Sequence, residues 1–485
     1  MFSLFPSIPF RRNLLSFRTR QLKPLPQNWM SSLKTEVVPS EREDTFDDGV
    51  RPFEDIPEVN RWKFIYNLCT KTEGFTKFFK ETARLFDELG PIYKDDFMFT
   101  PFKTVHVIDP EDFAKVYLAE GKYPSRAMLD FWIEHRRRRN HFPGIIIADG
   151  EEWHRMRQTI GPKIMRPKIV EENMNNFNAV SKDAVARFIK LKETSQEEGH
   201  IPDLEKEMKR WALEGIATLV FNTRLGLYED RPPQVALKFT EEVNNFFELS
   251  HTLLFNPFSR IARQYFDTPT FKKFLENADA LMETGEGIVD KTTRELKEMT
   301  KNGIDLGDAQ VVPLLTYLLM KEGLTPEEVN VHAIDFVGAG VDTTSFATVW
   351  WLYNLARFPH VQQKLYQEIE SVIGIDDDVT PKHLTKLHYL KASLKESMRL
   401  TPSITSLTRI VDQDVDLSGY HVPSNTLVQM EFYATTRSDK YFKDPLEFKP
   451  ERWIRESKDV HSFSHLQFGF GPRMCVGKKR RKKTP

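Results

Sequence analysis

A long apolar stretch in the last third of the chain dominates the pattern of hydrophobic and polar positions. Thr325-Pro326-Glu327-Glu328 is a capping box with proline at the first helical position, so a helix is predicted to begin here. No helix breaker follows until Phe358-Pro359, which gives about 32 residues, or about 48 Å. Residues 333–352 are apolar on nearly all sides. We therefore expect a central helix that is buried along its middle.

The rest of the pattern predicts a mainly α protein with a minor β region. Short strand-like runs occur at residues 91–94 and 104–108. Asp109-Pro110 then offers a capped helix start. Residues 151–357 follow helical periodicity with breaks at glycine and proline clusters, and a strand-rich part runs from about residue 405 to 430. We expect a single large domain.

Composition narrows the class of protein without fixing it. The 485 residues are 40% hydrophobic and carry a formal net charge of −1, so nothing favours nucleic acid as a partner. The run Arg136–Arg139 could contact nucleic acid or lipid headgroups, but we interpret it as a solvated polar loop. The two cysteines, Cys69 and Cys475, exclude a disulfide framework and fit a reducing compartment. A single disulfide between them is the alternative, and we interpret Cys69 as a spectator.

The first 35 residues have the composition of a mitochondrial transit peptide. They contain arginines, lysines and serines, and no acidic residue precedes Glu36. Met1 to Phe10 is too short, and too interrupted by prolines, to span a bilayer. We expect residues 1–35 to be the leader and residues 36–57 to form an extended, proline-containing approach to the folded domain. A disordered basic tail is the alternative.

One loop near the end carries distinctive chemistry. Phe468-Gly469-Phe470-Gly471-Pro472-Arg473-Met474-Cys475-Val476-Gly477 places a cysteine among glycines, two positions after an arginine that favours its thiolate form. The segment resembles the haem-binding loop of the cytochrome P450 family, the haem-thiolate monooxygenases. The resemblance implies that Cys475 is the axial ligand of haem b (iron protoporphyrin IX), and that Phe468, Arg473 and Gly477 help to bind the haem.

The central helix contains Ala339-Gly340-Val341-Asp342-Thr343-Thr344, which resembles the family's helix across the oxygen-binding face of the haem. The resemblance implies that Ala339 and Gly340 approach the haem, that Thr343 positions O2 and protons, and that Asp342 links the site to solvent. We expect the two glycines, Gly338 and Gly340, to permit close approach of a flat ligand. The alternative is that Thr343 hydrogen-bonds a helix carbonyl and Asp342 makes a buried polar contact.

Further motifs match the family in order along the chain. Glu396 and Arg399 share a helical face, and Arg452 follows in a segment that resembles the family's second structural motif. The resemblance implies a structural Glu–Arg–Arg network. It also implies ligands for the haem propionates at four positions: Trp153, Arg157, Arg409 and Arg473.

Lys391 and Lys395 lie one turn apart on the helix that carries Glu396. In the mitochondrial branch of the family, matching lysines dock an acidic [2Fe-2S] ferredoxin. The alternative is an ordinary solvated basic face. The resemblance covers about residues 50–477, and we take 58–477 as the cytochrome P450 domain.

After Cys475 the chain departs from the family. Six consecutive cations occupy residues 478–483 where family members continue with a helix and strands, so residues 478–485 are interpreted as a basic, non-family tail. We expect that the C-terminal part of the fold is missing and that the chain as written binds haem poorly. A truncated, non-catalytic isoform is therefore one alternative.

The leading hypothesis is a mitochondrial monooxygenase on the matrix side of the inner membrane, with peripheral membrane contact. It would insert one atom of O2 into an apolar substrate with electrons from ferredoxin. A haem-thiolate isomerase is a further alternative. Four phenylalanines suggest a sterol-like substrate but are equally consistent with core packing: Phe246, Phe247, Phe255 and Phe258.

Overall fold

The computed structural model describes residues 49–70, 78–95, 102–126, 129–166, 168–195, 200–302, 314–321, 323–374, 377–454 and 460–478. Its helices are α1 (Arg61–Thr70), α2 (Phe78–Leu89), α3 (Pro110–Leu118), α4 (Asp130–Arg139), α5 (Gly144–Ile147), α6 (Gly150–Ile164), α7 (Lys168–Glu172), α8 (Met174–Thr194), α9 (Leu204–Phe221), α10 (Gln234–Phe255), α11 (Pro257–Arg263), α12 (Pro269–Lys301), α13 (Leu314–Met320), α14 (Pro326–Arg357), α15 (Pro359–Val372), α16 (Pro381–Lys386), α17 (His388–Leu400) and α18 (Phe432–Thr435). The strands are β1 (Ile92–Asp95), β2 (Thr104–Val107), β3 (Leu407–Ile410), β4 (Val415–Leu417), β5 (Tyr420–Val422) and β6 (Leu427–Met430). The mainly α class with a minor β region is confirmed.

The central helix α14 begins as the sequence predicts. The Thr325 hydroxyl accepts the amide of Glu328, and the Glu328 carboxylate accepts the amide of Thr325, which completes the capping box. Residues 329–337 are all buried against an apolar core that includes side chains of α9 and α13. Beyond residue 338 the helix exposes one side, including Thr343 and Phe346. The prediction of burial around the whole middle of the helix is therefore wrong for its second half.

Two strands from the N-terminal part join two from the C-terminal part in one sheet of order β1-β2-β6-β3. β2 pairs with β6 in parallel, with Thr104 opposite Leu427, and β3 pairs with β6 antiparallel, with Arg409 opposite Val428. The predicted strands at 91–94 and 104–108 and the strand-rich region after residue 405 are confirmed. The sheet places Arg409 on a rigid, buried element.

A buried charged group lies within this sheet. His106 has Nε2 2.5 Å from Asp95 Oδ2 and Nδ1 2.9 Å from Glu431 Oε1, and its ring stacks on Tyr93. Burial disfavours the charged ring, but the two carboxylates raise the pKa of His106 to about 9. We call these residues (Tyr93, Asp95, His106 and Glu431) the His106 cluster. It carries an imidazolium at neutral pH.

The arginine run Arg136–Arg139 is only partly the solvated loop that the sequence predicts, because Arg137, Arg138 and Arg139 are exposed but Arg136 is not. It forms the end of α4, and Arg136 is buried with its guanidinium 3.4 Å from Asp335 of α14. Arg138 pairs with Asp267 and Arg139 with Asp279. Arg137 and Arg138 also pair with Glu134 on the same helix, whereas Asp335, the partner of Arg136, is distant in sequence, so the burial of Arg136 could not be predicted. Burial raises the pKa of Asp335 to about 6, although Arg136 acts in the opposite direction.

The predicted leader, residues 1–35, lies outside the described residues, as do residues 36–48 of the approach and residues 479–485 of the basic tail. From residue 49 the approach contains a 3-10 turn at Phe53–Asp55, and Arg51 forms a bridge with Tyr420. Within the ranges given above, none of the helices has the length and hydrophobicity that a bilayer span requires.

Candidate active site

The cysteine loop is held by its own backbone. The amide of Cys475 donates to the carbonyl of Phe468 at 2.8 Å, and the amide of Met474 donates to Gly471 at 3.2 Å. Gly469 and Gly471 adopt φ of 69° and 73°, in the left-handed region that favours glycine. The loop presents a free, exposed Cys475 thiol. A Cβ on Gly477 would meet the Sγ of Cys475 at 3.7 Å, an ordinary van der Waals contact.

The three side chains of the predicted Glu–Arg–Arg network contact one another. Glu396 is fully buried and accepts from Arg399 Nε and Nη2, both at 2.9 Å, and from Arg452 Nε at 2.8 Å. Trp453 Nε1 also donates to it, at 2.7 Å. Arg399 donates to three backbone carbonyls as well, those of residues 436, 445 and 447. The network ties α17 to the segment that precedes the cysteine loop.

Arg473 connects the cysteine loop to the start of α6. Its Nη2 donates to the Ala148 carbonyl at 2.6 Å and pairs with the carboxylate of Asp149. Its guanidinium lies 4.4 Å from the ring centroid of Trp153, which is itself buried. Burial lowers the pKa of Arg473 to about 10, so the side chain remains a cation at neutral pH.

Three more arginines converge on the same place. Arg157 Nη2 donates to the Met474 carbonyl at 2.7 Å, and Arg126 Nη2 donates to the Arg473 carbonyl at 2.6 Å. Arg409 is completely buried and bonds the carboxylate of Glu120. The structure therefore brings together all four predicted propionate ligands (Trp153, Arg157, Arg409 and Arg473) around the cysteine loop.

The arginines keep donor capacity that the described residues do not use. In this arginine cluster, three buried nitrogens have no hydrogen-bond partner within the described part of the chain: Nε of Arg126, Nη2 of Arg409 and Nε of Arg473. Burial, with the charges of the other two arginines acting in the same direction, lowers the pKa of Arg126 to about 9. Buried cations with unused donors call for an anionic partner. Two carboxylates, such as the propionates of a haem, fit this requirement.

Arg126 and Glu120 were not among the residues found from the sequence. Arg126 lies in a proline-containing loop, and Glu120 follows the end of α3. Neither belongs to a recognisable spacing motif. Glu120 and its partner Arg409 are 289 positions apart, and Arg126 and its partner Arg473 are 347 positions apart. Only the tertiary fold shows that they belong to the site.

The exposed side of α14 carries the predicted oxygen-binding residues. Ala339 and Thr343 are exposed one turn apart, and Asp342 is half-buried. The Thr343 hydroxyl donates to the Ala339 carbonyl at 2.7 Å, which is the alternative contact considered for it. Its oxygen still has lone pairs with which to accept a hydrogen bond. Both readings of Thr343 are thus compatible with the geometry.

The structure gives one of the two glycines of α14 a role in packing, and the approach of a flat ligand stays a prediction. A Cβ on Gly340 would lie 2.8 Å from Cγ1 and 2.9 Å from Cδ1 of Ile216 on α9. A Cβ on Gly338 would meet Phe247 at an ordinary 3.5 Å. Gly340 therefore permits the close packing of two helices, and a flat ligand is not needed to explain it.

Lys391 and Lys395 are both exposed on α17. Lys391 Nζ donates to the Thr385 carbonyl at 3.4 Å. Lys395 Nζ lies 3.8 Å from the ring centroid of Trp453, the same residue that donates to Glu396. The side chain of Trp453 thus contacts both the exposed Lys395 and the buried Glu396.

Two of the four phenylalanines make packing contacts in the structure, and their role toward a substrate stays a prediction. Phe246 lies 4.8 Å from Trp132 and 5.3 Å from Phe274, between ring centroids, and Phe247 packs against the apolar core. The side chains of Phe255 and Phe258 lie outside the described part of the chain.

Comparison with known proteins decides the family. The model of the cytochrome P450 family matches residues 56–479. The chain is a cytochrome P450. Cytochrome P450 10 of Lymnaea stagnalis is 31% identical, over 89% of this chain and 78% of that protein. The mitochondrial cholesterol side-chain cleavage enzyme of Oncorhynchus mykiss is 29% identical, over 89% and 82%. The mitochondrial 1,25-dihydroxyvitamin D(3) 24-hydroxylase of Rattus norvegicus is 28% identical, over 97% and 89%.

This cytochrome P450 is a monooxygenase of the mitochondrial type, and membership of the family implies a haem cofactor. Within the described residues, no group of three or more His, Cys, Asp and Glu side chains could hold a metal ion. The arginine cluster around the exposed Cys475 offers the chemistry that such a cofactor requires: one soft ligand for iron and several cations for two carboxylates.

Proposed function

We propose that this cytochrome P450 binds haem b with Cys475 as the thiolate ligand and oxidises an apolar, sterol-like substrate with electrons from a mitochondrial ferredoxin. The observation that carries the proposal is the set of unpartnered buried nitrogens on Arg126, Arg409 and Arg473 around the cysteine loop. It favours haem binding over the expectation, drawn from the sequence after Cys475, that the chain binds haem poorly. When bound, the haem supplies thiolate-assisted activation of O2. The chain supplies the thiolate ligand Cys475, the arginines that pair with the propionates, and the polar side chains of Asp342 and Thr343 on α14.

The ligand assignment is tested by the ferrous–CO absorption spectrum of the full chain after haem reconstitution. The wild-type protein should give the thiolate-type Soret maximum, and Cys475→Ser should lose it. Cys69→Ser is the matched control, because Cys69 is the second cysteine of the chain, in α1. A thiolate-type spectrum that survives in Cys475→Ser, or no haem binding by the wild-type protein, would contradict the proposal.

Thr343 and Asp342 are proposed to manage protons on the exposed side of α14. The Thr343 hydroxyl is anchored on the Ala339 carbonyl, and its oxygen accepts a further hydrogen bond. The half-buried carboxylate of Asp342 can exchange protons with solvent. Thr343→Val, which keeps the shape but removes the hydroxyl, should divert NADPH-derived electrons to hydrogen peroxide. Thr344→Val, which removes the neighbouring hydroxyl, should leave the yield of hydrogen peroxide unchanged. Equal peroxide yields in the two variants would contradict the proposed role of Thr343.

An acidic ferredoxin is proposed to dock at Lys391 and Lys395. Both ammonium groups stand on the outer side of α17, whose inner side carries Glu396 and Arg399. Replacing both lysines with glutamine should raise the ferredoxin concentration needed for half-maximal reduction and weaken its dependence on salt. Lys238→Gln, an exposed lysine on α10, is the control. An unchanged salt dependence in the double variant would favour an ordinary solvated face.

Two relatives are named for the substrates cholesterol and 1,25-dihydroxyvitamin D(3), and this supports the proposal of a sterol-like substrate. Optical titration with sterols, vitamin D compounds and fatty acids tests it, since displacement of water from the haem changes the spectrum. Tight binding of fatty acids alone would overturn it.

Exposed aromatic side chains, including Trp62 on α1 and Tyr265 and Phe266 after α11, support peripheral contact with the inner membrane.

A further inference from the structure

Glu120 occupies an unusual position for a carboxylate. It is 2% exposed, and its Oε2 accepts a hydrogen bond from Nε of Arg409. Its Oε1 has no hydrogen-bond partner among the described residues. A Cβ on Gly471 would overlap Oε1, so the carboxylate lies directly against the cysteine loop. One buried anion therefore contacts both a propionate-binding arginine and the loop that presents Cys475.

This contact fixes the orientation of Arg409. The guanidinium is bonded through Nε to Glu120 and through Nη1 to the Thr408 carbonyl at 2.8 Å, and it lies 5.2 Å from the ring centroid of Tyr117. With those positions taken, Nη2 is the nitrogen left with unused donors. A planar guanidinium held at two nitrogens has little freedom, so the direction in which Nη2 points is set by Glu120.

The carboxylate also sets the charge of the site. We call Arg126, Arg157, Arg409 and Arg473, with the acids Glu120 and Asp149 that pair with them, the cradle. Four cations and two anions leave two positive charges, which equal the two negative charges of the haem propionates. The remaining positive charge of a bound ferric porphyrin would be cancelled by the Cys475 thiolate. Without Glu120 the cradle would carry a third positive charge at low dielectric.

We propose that Glu120 is a positioning residue of the haem site, which aims Arg409 at a propionate and keeps the reduction potential of the iron low by limiting the positive charge of the cradle. The inference rests on the proposed function. A buried negative charge favours the oxidised iron, because net charge around a haem is one of the factors that set its potential. Its loss makes the iron easier to reduce, and loss of the opposing cation makes it harder to reduce.

The test is the reduction potential of the haem-reconstituted full chain, measured by spectroelectrochemistry. E120Q keeps the shape of the side chain and removes its charge, so the potential should become more positive. R409Q removes the opposing cation, so the potential should become more negative. E214Q is the matched control: Glu214 is also fully buried and bonds Arg224 at 2.7 Å, but it lies in α9. The reduction potential of E214Q should equal that of the wild-type protein.

A second measurement separates positioning from folding. Titration of the haem-free protein with haem should show weaker binding by E120Q than by E214Q. The midpoint of thermal unfolding without haem should fall no more in E120Q than in E214Q, because among the described residues Glu214 accepts three hydrogen bonds and Glu120 accepts one. If E120Q does not fold, E120D takes its place: it keeps the charge but withdraws the carboxylate from Arg409, so haem binding should weaken while the potential stays close to that of the wild-type protein. An unchanged potential in E120Q, or a shift in the same direction in E120Q and R409Q, overturns the inference and leaves the proposed function standing. Failure of the wild-type protein to bind haem overturns both.

Discussion

Replacing Glu396 with glutamine is expected to reduce the free energy of unfolding by about 3–5 kcal/mol, the range for breaking a buried ion pair. Both Glu396 and Arg399 are 0% exposed. The carboxylate accepts from five donors: Arg399 Nε, Arg399 Nη2, Arg452 Nε, Trp453 Nε1 and the amide of Lys449. The amide nitrogen of glutamine accepts none, so the donors on that side face another donor while Arg399 remains a buried cation.

Because folded proteins have about 5–15 kcal/mol of net stability, this loss is a large fraction of the total. The assay is guanidinium unfolding of the full chain at pH 7, followed by tryptophan fluorescence and circular dichroism. E447Q is the control, since the Glu447 carboxylate pairs with Lys449 at the surface and is not part of the network. If E396Q lowers the unfolding midpoint no more than E447Q does, the assignment of stability to this network is refuted.

Three further outcomes are expected. For the His106 cluster, the folded pKa of about 9 lies above the ordinary value of 6.5, so its stabilisation is complete below about pH 6.5 and is lost as the pH rises through 9. Unfolding midpoints from pH 6 to 10 check this, and His106→Gln should flatten that dependence. Gly340→Ala should cost about 1–3 kcal/mol by overpacking against Ile216, whereas Gly338→Ala should be tolerated, and Ile216→Ala should rescue the first variant if the overlap is the cause. Arg136→Met leaves its buried aspartate partner unpaired and should destabilise the protein more at pH 8 than at pH 5, because protonation removes the unpaired charge; a loss that is independent of pH would contradict this.

Features that depend on neighbouring residues could be predicted from the sequence. The capping box at Thr325 and the Asp109 cap were correct because both involve residues within three positions of each other. The Glu396–Arg399 pair followed from helical spacing. The cysteine loop was recognisable because its glycines and the cysteine are required at fixed offsets.

Features that depend on residues distant in sequence could not be predicted from the sequence. Whether Arg136 is solvated or buried depends on Asp335, which is 199 positions away. The role of Gly340 depends on Ile216, a side chain on another helix. Glu120 carries no local signal at all, since its partner Arg409 is 289 positions away. In each case the residue type was visible but the contact that defines its role is a product of the tertiary fold.

The pairing of β2 with β6 has a consequence for how the protein folds. His106 in β2 and Glu431 next to β6 meet across 325 positions of sequence, and Arg126 meets the cysteine loop across 347. Contacts of such separation form slowly, because loop closure must precede them. When the chain folds from its amino end, β2 pairs with β1 on one edge, but its other edge has no partner until β6 at Leu427–Met430 is available. We therefore expect the sheet and the arginine cradle to form late, and the unpaired edge of β2 to be the point at which aggregation competes with folding.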